Sequence, residues 1–376
     1  MIGFRSAMGE EAFGDWGWRV PFLVSILLLG VSLWIRLQLA ESPVFQKMKE
    51  EGTTSKAPLS EAFGRWANLK WVLVALFGAV AGQAVVWYAG QFYALFYLEK
   101  ILKVDGASAN IYIAIALALG TPFFVLFGWL SDRIGRKYII LGGCALAALT
   151  YFPAFRALSD AANPALAAAQ ARAPVVVTAD PANCSFQFDP VGRNKFDGRS
   201  CDIAKAYLAR NGINYSNRTG EPGTFAAVSI GDRTLIAPTP LKVQGAELAA
   251  AIATFQRELQ AALDEAGYPP RADPAGIDEV RLVAILFYLV LLVTMVYGPI
   301  AAMLVELFPS RIRYTSMSLP YHIGNGWFGG FMPTIGFAMV AATGDIYYGL
   351  WYPVVVAAAT VVIGLVFLPE TFRRDI

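Results

Sequence analysis

The chain has 376 residues, 56% of them hydrophobic and only 15% charged, with a formal net charge of +2 and a mean hydropathy of +0.50. Those values lie outside the range of ordinary soluble domains and put the membrane class first. The balanced charge argues against nucleic acid as a partner, and a single histidine with three cysteines leaves no zinc-ligand spacing, so no metal and no other cofactor is expected.

The opening stretch, MIGFRSAMGEEAFGDWGWRVPF, carries acidic residues and lacks a short apolar core, which argues against a signal peptide. Near-charge-free stretches then cover 20–35, 71–98, 110–130, 138–155, 282–305, 315–343 and 346–368, most of them long enough to cross a hydrocarbon core as helices. Seven spans are predicted. Lys and Arg collect at 36–70, 133–137, 311–313 and at Arg373 and Arg374, whereas the alternating segments hold little more than Arg5, Arg19, Lys100 and Lys103. The positive-inside rule, which discounts the long segment after Phe155, makes the first set cytoplasmic. The C-terminus then lies in the cytoplasm and the N-terminus outside.

In the second span Gln83, Tyr88, Gln91 and Tyr93 fall on overlapping faces at helical spacing, and Gly90 would ease local bending there. Amides and phenols are costly in hydrocarbon without a partner or a wet cavity, so these residues are candidates for a solute path. Amides also act as glue between helices, and that reading stays open. Gly78 and Gly82 form a G-x-x-x-G suited to close helix approach.

The third span runs into GWLSDRIGRK, residues 128–137. A positive-inside anchor accounts for Arg133, Arg136 and Lys137. Asp132 and the paired glycines ask for more: Gly128 and Gly135 would let a short loop pack on a helix end, and Asp132 could cap a helix N-terminus.

Between Phe155 and Asp278 the composition turns Ala-rich and then mixed and polar, over about 120 residues, too long for a loop and large enough for a small domain. APVVVTAD, SFQF, TFAAVSI and TLIAP read as short strands. Gln244 to Ala266 reads as an amphipathic helix with Leu248, Ile252, Phe255, Leu259 and Leu263 on one face. The topology puts this α+β insert outside the cytoplasm. There Cys184 and Cys201 can form a disulfide worth roughly 3 kcal/mol in the chain-entropy model, the alternative being two reduced, buried thiols. Cys144 lies in a span, and the sequons at Asn183, Asn214 and Asn217 read as chance matches.

Further on, Tyr297, His322 and Asn325 join the candidates for the solute path: Tyr297 is another polar residue in an apolar run, and His322 sits in PYHIGNG beside Tyr321 and three residues before Asn325. An imidazole in a span can relay protons, its unperturbed pKa being about 6.5, or simply pack as a hydrogen-bonded group. GNGWFGG, 324–330, matches G-x-G-x-x-G but lies inside an apolar span and not at a strand-to-helix turn, so its glycines read as helix-packing positions. Glu99, Glu306, Asp345 and Glu370 all lie near span ends. With no G-x-S-x-G and no P-loop, the chain does not read as an enzyme.

Gly128, Leu130, Ser131, Asp132, Arg133, Gly135, Arg136 and Lys137 resemble the G-x-L-[AS]-D-[RK]-x-G-R-[RK] signature of the major facilitator superfamily. WGWRVPF at 16–22, ESPVF at 41–45, ELFPSRIRYTSMSL at 306–319 and LPETF at 368–372 resemble, in collinear order, its metabolite:proton symporter branch. In that superfamily twelve helices form two six-helix halves, and the signature lies between spans 2 and 3 and again between spans 8 and 9. Here it follows the third predicted span. The resemblance therefore implies span 6 at 1–40, the central cytoplasmic loop at 41–70, spans 7–9 at 71–155, an inserted domain at 156–278, and spans 10–12 with a short tail at 279–376. The implied fold class is an all-α polytopic membrane protein, a partial major facilitator fold with a small α+β extracytoplasmic insert.

The same resemblance implies a secondary active transporter, a symporter of protons and a small organic solute, in the inner membrane. Gly128, Asp132, Arg133, Gly135, Arg136 and Lys137 would form a gating loop, and the second span would line the central cavity. The partners implied are the solute, protons, the lipid bilayer and a missing N-terminal half carrying the main coupling carboxylate. Two rivals remain: a membrane receptor or sensor that binds a ligand through the insert, which would need a cytoplasmic output domain where only short loops are predicted, and a sugar- or drug-type transporter of the same superfamily.

Overall fold

The structure is a computed structural model that describes residues 2–39, 43–191, 193–239 and 245–372. Glu41 and Ser42 of the ESPVF segment, Gln244 at the start of the predicted amphipathic helix, and Arg373 and Arg374 of the tail lie outside the described residues.

Among the described residues six helices are long and apolar enough to cross a membrane: Gly17–Gln38, Trp66–Ile101, Gly106–Ile134, Arg136–Ala162, Glu279–Leu307 and Tyr348–Phe367. The predicted span at 315–343 is the exception. It forms two helices, Arg313–Ile323 and Met332–Thr343, joined by a π-helical stretch Gly324–Gly330 and a turn at Phe331. Pro320 and Pro333 supply no N–H, and the glycines between them impose little on the backbone, so one apolar run does not make one helix. Seven continuous spans are thus corrected to six and a broken one.

The central element is Trp66–Ile101, 36 residues long and largely enclosed by its neighbours. Its regularity is interrupted by π turns at Leu76–Val80, Ala89–Tyr93 and Tyr97–Ile101. Small residues let the other spans close on it. A Cβ added at Gly78 would sit 3.3 Å from Gly364 Cα, and one at Gly82 would meet Thr360 Cβ at 2.7 Å and Cys144 Sγ at 2.9 Å. Gly82→Val is therefore expected to cost about 1–3 kcal/mol through overpacking. Gly30→Val, on a surface with nothing within 4 Å, is the control and should be nearly neutral. Thermal unfolding in detergent would compare them; equal midpoints would refute this packing.

The helix Val20–Gln38 stands apart from that bundle. None of its residues is buried, and Leu27, Leu28 and Leu37 are 70–75% exposed. An apolar surface of that kind suits lipid and not water.

The insert holds a four-stranded sheet in the order β2-β1-β3-β4, with β1 Val175–Ala179, β2 Tyr215–Thr219, β3 Ala227–Ile230 and β4 Arg233–Ile236. β1 runs parallel to β2 and antiparallel to β3. Three of the four predicted strands form. SFQF does not: Ser185 N and Oγ donate to the two carboxylate oxygens of Asp202, both at 2.7 Å, and Gln187 Nε2 donates to Asp202 O at 3.0 Å. Those bonds tie the segment to the helix Ser200–Arg210 and not to a ladder. The amphipathic helix is Gly245–Glu265, with Phe255, Leu259 and Leu263 buried and Leu248 and Ile252 half-buried. Cys184 and Cys201 are disulfide-bonded, their Cα atoms 5.1 Å apart, and Cys144 is a buried free thiol. Nearby, Asp180 accepts from Gly223 N at 2.8 Å and Ala182 N at 2.9 Å, and these N–H groups, Gly223 first, hold its carboxyl below the usual carboxylate range.

The insert is stapled to one face of the helical part. Asn163 Nδ2 donates to Leu102 O at 2.9 Å, Ala272 N to Lys103 O at 3.0 Å, Tyr215 N to Gly344 O at 2.9 Å and Asn217 Nδ2 to Thr343 O at 2.8 Å. The helices that leave this face carry the charged loops at their other ends, where Arg311 pairs with Glu61.

Candidate functional site

Two polar centres interrupt the apolar helices. The first lies mid-span. Gln83 is fully buried, and its Nε2 donates to Asn325 Oδ1 at 3.3 Å, while Gln83 Oε1 is buried with no partner. Asn325 is held in turn, donating from Nδ2 to Tyr321 O at 2.9 Å. Asn325 belongs to the π-helical Gly324–Gly330, a wide turn of the kind common at functional sites. Tyr297 and Tyr321 share a hydroxyl contact of 3.2 Å, and Trp87 stacks on Tyr297 with centroids 6.0 Å apart. Tyr88 stacks on Phe92 at 5.3 Å and covers Gly329. The result is a patch of amide and phenol groups framed by aromatic faces, able to hydrogen-bond a small polar solute while stacking on its apolar part.

Of the residues singled out in sequence, Gln83, Tyr88, Tyr297 and Asn325 come together here. Gln91 is half-buried in the π turn Ala89–Tyr93. Tyr93 points elsewhere: it is fully buried against Tyr97, Phe155 and Phe337, within an aromatic core. His322 is exposed, with its ring edge-on to Tyr321 at 5.6 Å. Tyr321 and Trp87 were not anticipated; both are aromatic neighbours of residues that were.

The second centre is the charged loop after Gly106–Ile134. Arg136 is almost enclosed and donates to Glu306 three times, from Nε at 2.9 and 2.7 Å and from Nη2 at 2.6 Å, with further bonds from Nη1 to Ser131 Oγ at 3.0 Å and to Asp132 Oδ1 at 2.7 Å. Thr371 Oγ1 donates to Glu306 Oε2 at 2.7 Å. Glu370 caps the helix Arg136–Ala162, accepting from Arg136 N at 3.0 Å and Lys137 N at 3.1 Å. Lys137 Nζ in turn caps the far end of the last span, donating to Leu368 O at 2.7 Å and Leu365 O at 3.0 Å. Carboxylate at an N-terminus and ammonium at a C-terminus both suit the helix dipole. Arg133 lies over the Trp129 ring at 4.0 Å.

Two expectations for this loop are corrected. Asp132 caps no helix; it pairs with Arg136 from a largely exposed position, and the cap comes from Glu370. Gly135 is required, since its φ of +108° is one that other residues rarely adopt and a Cβ there would strike the Glu370 carboxylate. A Cβ at Gly128 would meet nothing within 4 Å. Glu306 and Glu370 were legible only as charges near span ends in ELFPSR and LPETF, without their partner.

The family model of the Major Facilitator Superfamily matches residues 7–179, and that of Sugar (and other) transporter matches residues 265–376. A putative transporter, YdfJ, of Escherichia coli (strain K12) is 32% identical over 144 residues, 37% of this chain and 32% of its own length. A putative proline/betaine transporter of Staphylococcus haemolyticus (strain JCSC1435) is 29% identical over 160 residues, 42% of this chain and 33% of its own. The shikimate transporter of Escherichia coli (strain K12) is 30% identical over 154 residues, 40% of this chain and 34% of its own. The chain thus spans about one third of the length of these curated relatives. No solved structure matches.

The chain is thus similar to transporter families over residues 7–179 and 265–376, and these relatives are named as transporters and not as enzymes. The matches also correct the reading of the chain as a C-terminal portion with a partial fold and a missing N-terminal half as partner. Transporter families match both its N-terminal and its C-terminal parts, on either side of the insert.

Proposed function

We propose that this multi-pass chain, matched at both ends by transporter families, acts as a major-facilitator-type secondary transporter of a small organic solute, taken up with protons across the inner membrane. The observation that carries the reading is the Gln83–Asn325 pair: two amides bonded to each other in the middle of apolar helices, with Gln83 Oε1 buried and unpartnered. A buried polar atom left without a partner costs about 1–3 kcal/mol, and a passing solute with an N–H or O–H would satisfy it. The solutes named for the relatives, proline, betaine and shikimate, are small organic metabolites, which supports that class of cargo. Gly128, Asp132, Arg133, Gly135, Arg136 and Lys137 would serve as the cytoplasmic gate, closed in this conformation by the Arg136–Glu306 lock, with the insert on the extracytoplasmic side.

Uptake by the purified chain in liposomes tests this. Labelled proline, glycine betaine and shikimate would be offered with and without an inward proton gradient. Gradient-dependent uptake of at least one is expected, and Gln83→Ala or Asn325→Ala should reduce it by about tenfold or more, the loss of one or two good hydrogen bonds. Uptake that ignores both substitutions would exclude this path, and uptake that ignores the gradient would exclude proton coupling.

A further inference from the structure

We propose that the junction between the insert and the loop before the last span is a second binding site, outside the solute path, for a small zwitterion of amino-acid size. A cavity of about 240 Å³ lies there, lined by Gln170, Asn214, Tyr215, Ser216, Tyr268 and Asp345 among others. That is just under the range of roughly 300–1,000 Å³ for drug-sized ligands, which suits a metabolite. Its walls come from separate elements. Gln170 is on the helix Pro164–Arg172, Tyr215 and Ser216 open β2, and Asp345 follows the helix Met332–Thr343.

The chemistry of the lining selects the ligand. Gln170 Nε2 is buried and has no hydrogen-bond partner, so one acceptor is wanted at that wall. Asn214 Oδ1 is occupied by Ile346 N at 3.3 Å, which leaves the Asn214 amide to the cavity as a donor. Tyr268 donates its hydroxyl to Ala173 O at 2.8 Å, and burial pushes its pKa up to about 12, so it adds a neutral surface. Among the described residues Asp345 is the sole charged one in the lining, and one of its oxygens accepts from Tyr347 N at 2.9 Å. Two amides and one carboxylate in the same lining fit a molecule with a carboxylate and an ammonium group. Val175, Tyr215 and Tyr268 supply the apolar part of the lining.

Occupancy would be felt by the spans. Tyr215, which lines the cavity, also holds the end of Met332–Thr343, through its N to Gly344 O at 2.9 Å and its Oη to Ala341 O at 3.2 Å. That helix belongs to the broken span that carries Asn325. A ligand bridging Gln170 and Asp345 would add a further tie between the insert and this loop.

Binding can be measured without any transport assay, so its failure would not touch the proposed function, nor the reverse. The purified full chain in detergent would be offered the neutral L-amino acids one by one at millimolar concentration, by equilibrium dialysis. Saturable binding of at least one is expected, with hydrogen-exchange protection at 214–217 and 343–347. The N-acetyl and the amide derivatives of that amino acid, each lacking one charge, should bind about tenfold or more weakly, as should Asp345→Asn and Gln170→Leu. Should either variant misfold, Ser216→Phe fills the cavity from an exposed strand position and should abolish binding. Absence of binding, protection elsewhere in the chain, or undiminished binding by Ser216→Phe would each overturn the proposal.

Discussion

Arg136→Gln is expected to destabilise the chain by about 3–5 kcal/mol, well beyond what the loss of any exposed ion pair would cost. The Arg136 side chain is 11% exposed and that of Glu306 6%, so removing the guanidinium leaves a carboxylate nearly enclosed with no countercharge and only the Thr371 hydroxyl bonded to it. Desolvation makes such an orphan costly, which is why breaking a buried pair costs more than the pair contributes by existing. Asp132→Asn, which removes the other carboxylate on Arg136, should cost about 1 kcal/mol or less, because the Asp132 side chain is 61% exposed and water already screens it. The double variant Arg136→Gln, Glu306→Gln carries no stranded charge and should recover much of the loss. Thermal or denaturant unfolding in detergent would rank the three, and an Arg136→Gln no worse than Asp132→Asn would show that the Glu306 lock is not closed in the folded chain.

How far this centre was readable depends on distance along the chain. Arg136 and Gly135 stood out because GWLSDRIGRK packs its glycines and charges into ten positions. Glu306 and Glu370 lie 170 and 234 residues away, and no local pattern links them to Arg136. The mid-span pair has the same character, since Gln83 and Asn325 are 242 residues apart. Tyr93 lies apart from the other candidates for a different reason. A face assigned with a period of 3.6 assumes an unbroken α-helix, but Trp66–Ile101 contains three π turns, each of which shifts the phase of everything after it. Tyr93 ends the second of them and faces the aromatic core.

The insert shows the converse. β1, β3 and β4 were legible from runs of β-branched and apolar residues. β2, YSNRT, was not, because Ser216, Asn217, Arg218 and Thr219 are polar and give no apolar alternation. What fixes β2 is tertiary: its parallel pairing with β1 and the bonds from Tyr215 and Asn217 to Gly344 and Thr343. At a coarser level, the place of one signature after the third predicted span suggests an offset, whereas family resemblance extends to both ends of the chain.

Replacing Cys184 and Cys201 together by serine is expected to lower the stability of the insert by roughly 3 kcal/mol, the chain-entropy value for a closed loop of about this length. The bond spans 17 residues, and much of the enclosed segment carries no regular structure. Without the bond, the segment's hold on Ser200–Arg210 rests largely on Ser185 and Gln187 at Asp202. Dithiothreitol should shift the midpoint of the wild-type chain as far as the double substitution does, and should leave the double variant unmoved. The same cysteines report topology. Cys144 is fully buried in a span and Cys201 within the insert, whereas Cys184 is half-buried, so reduction should make Cys184 the first thiol to react. With the insert outside the cytoplasm, a membrane-impermeant maleimide should label intact cells only after reduction, and Cys184→Ser should remove most of that signal. Labelling that appears only once the cells are permeabilised would place the insert on the cytoplasmic side and reverse the orientation of every span.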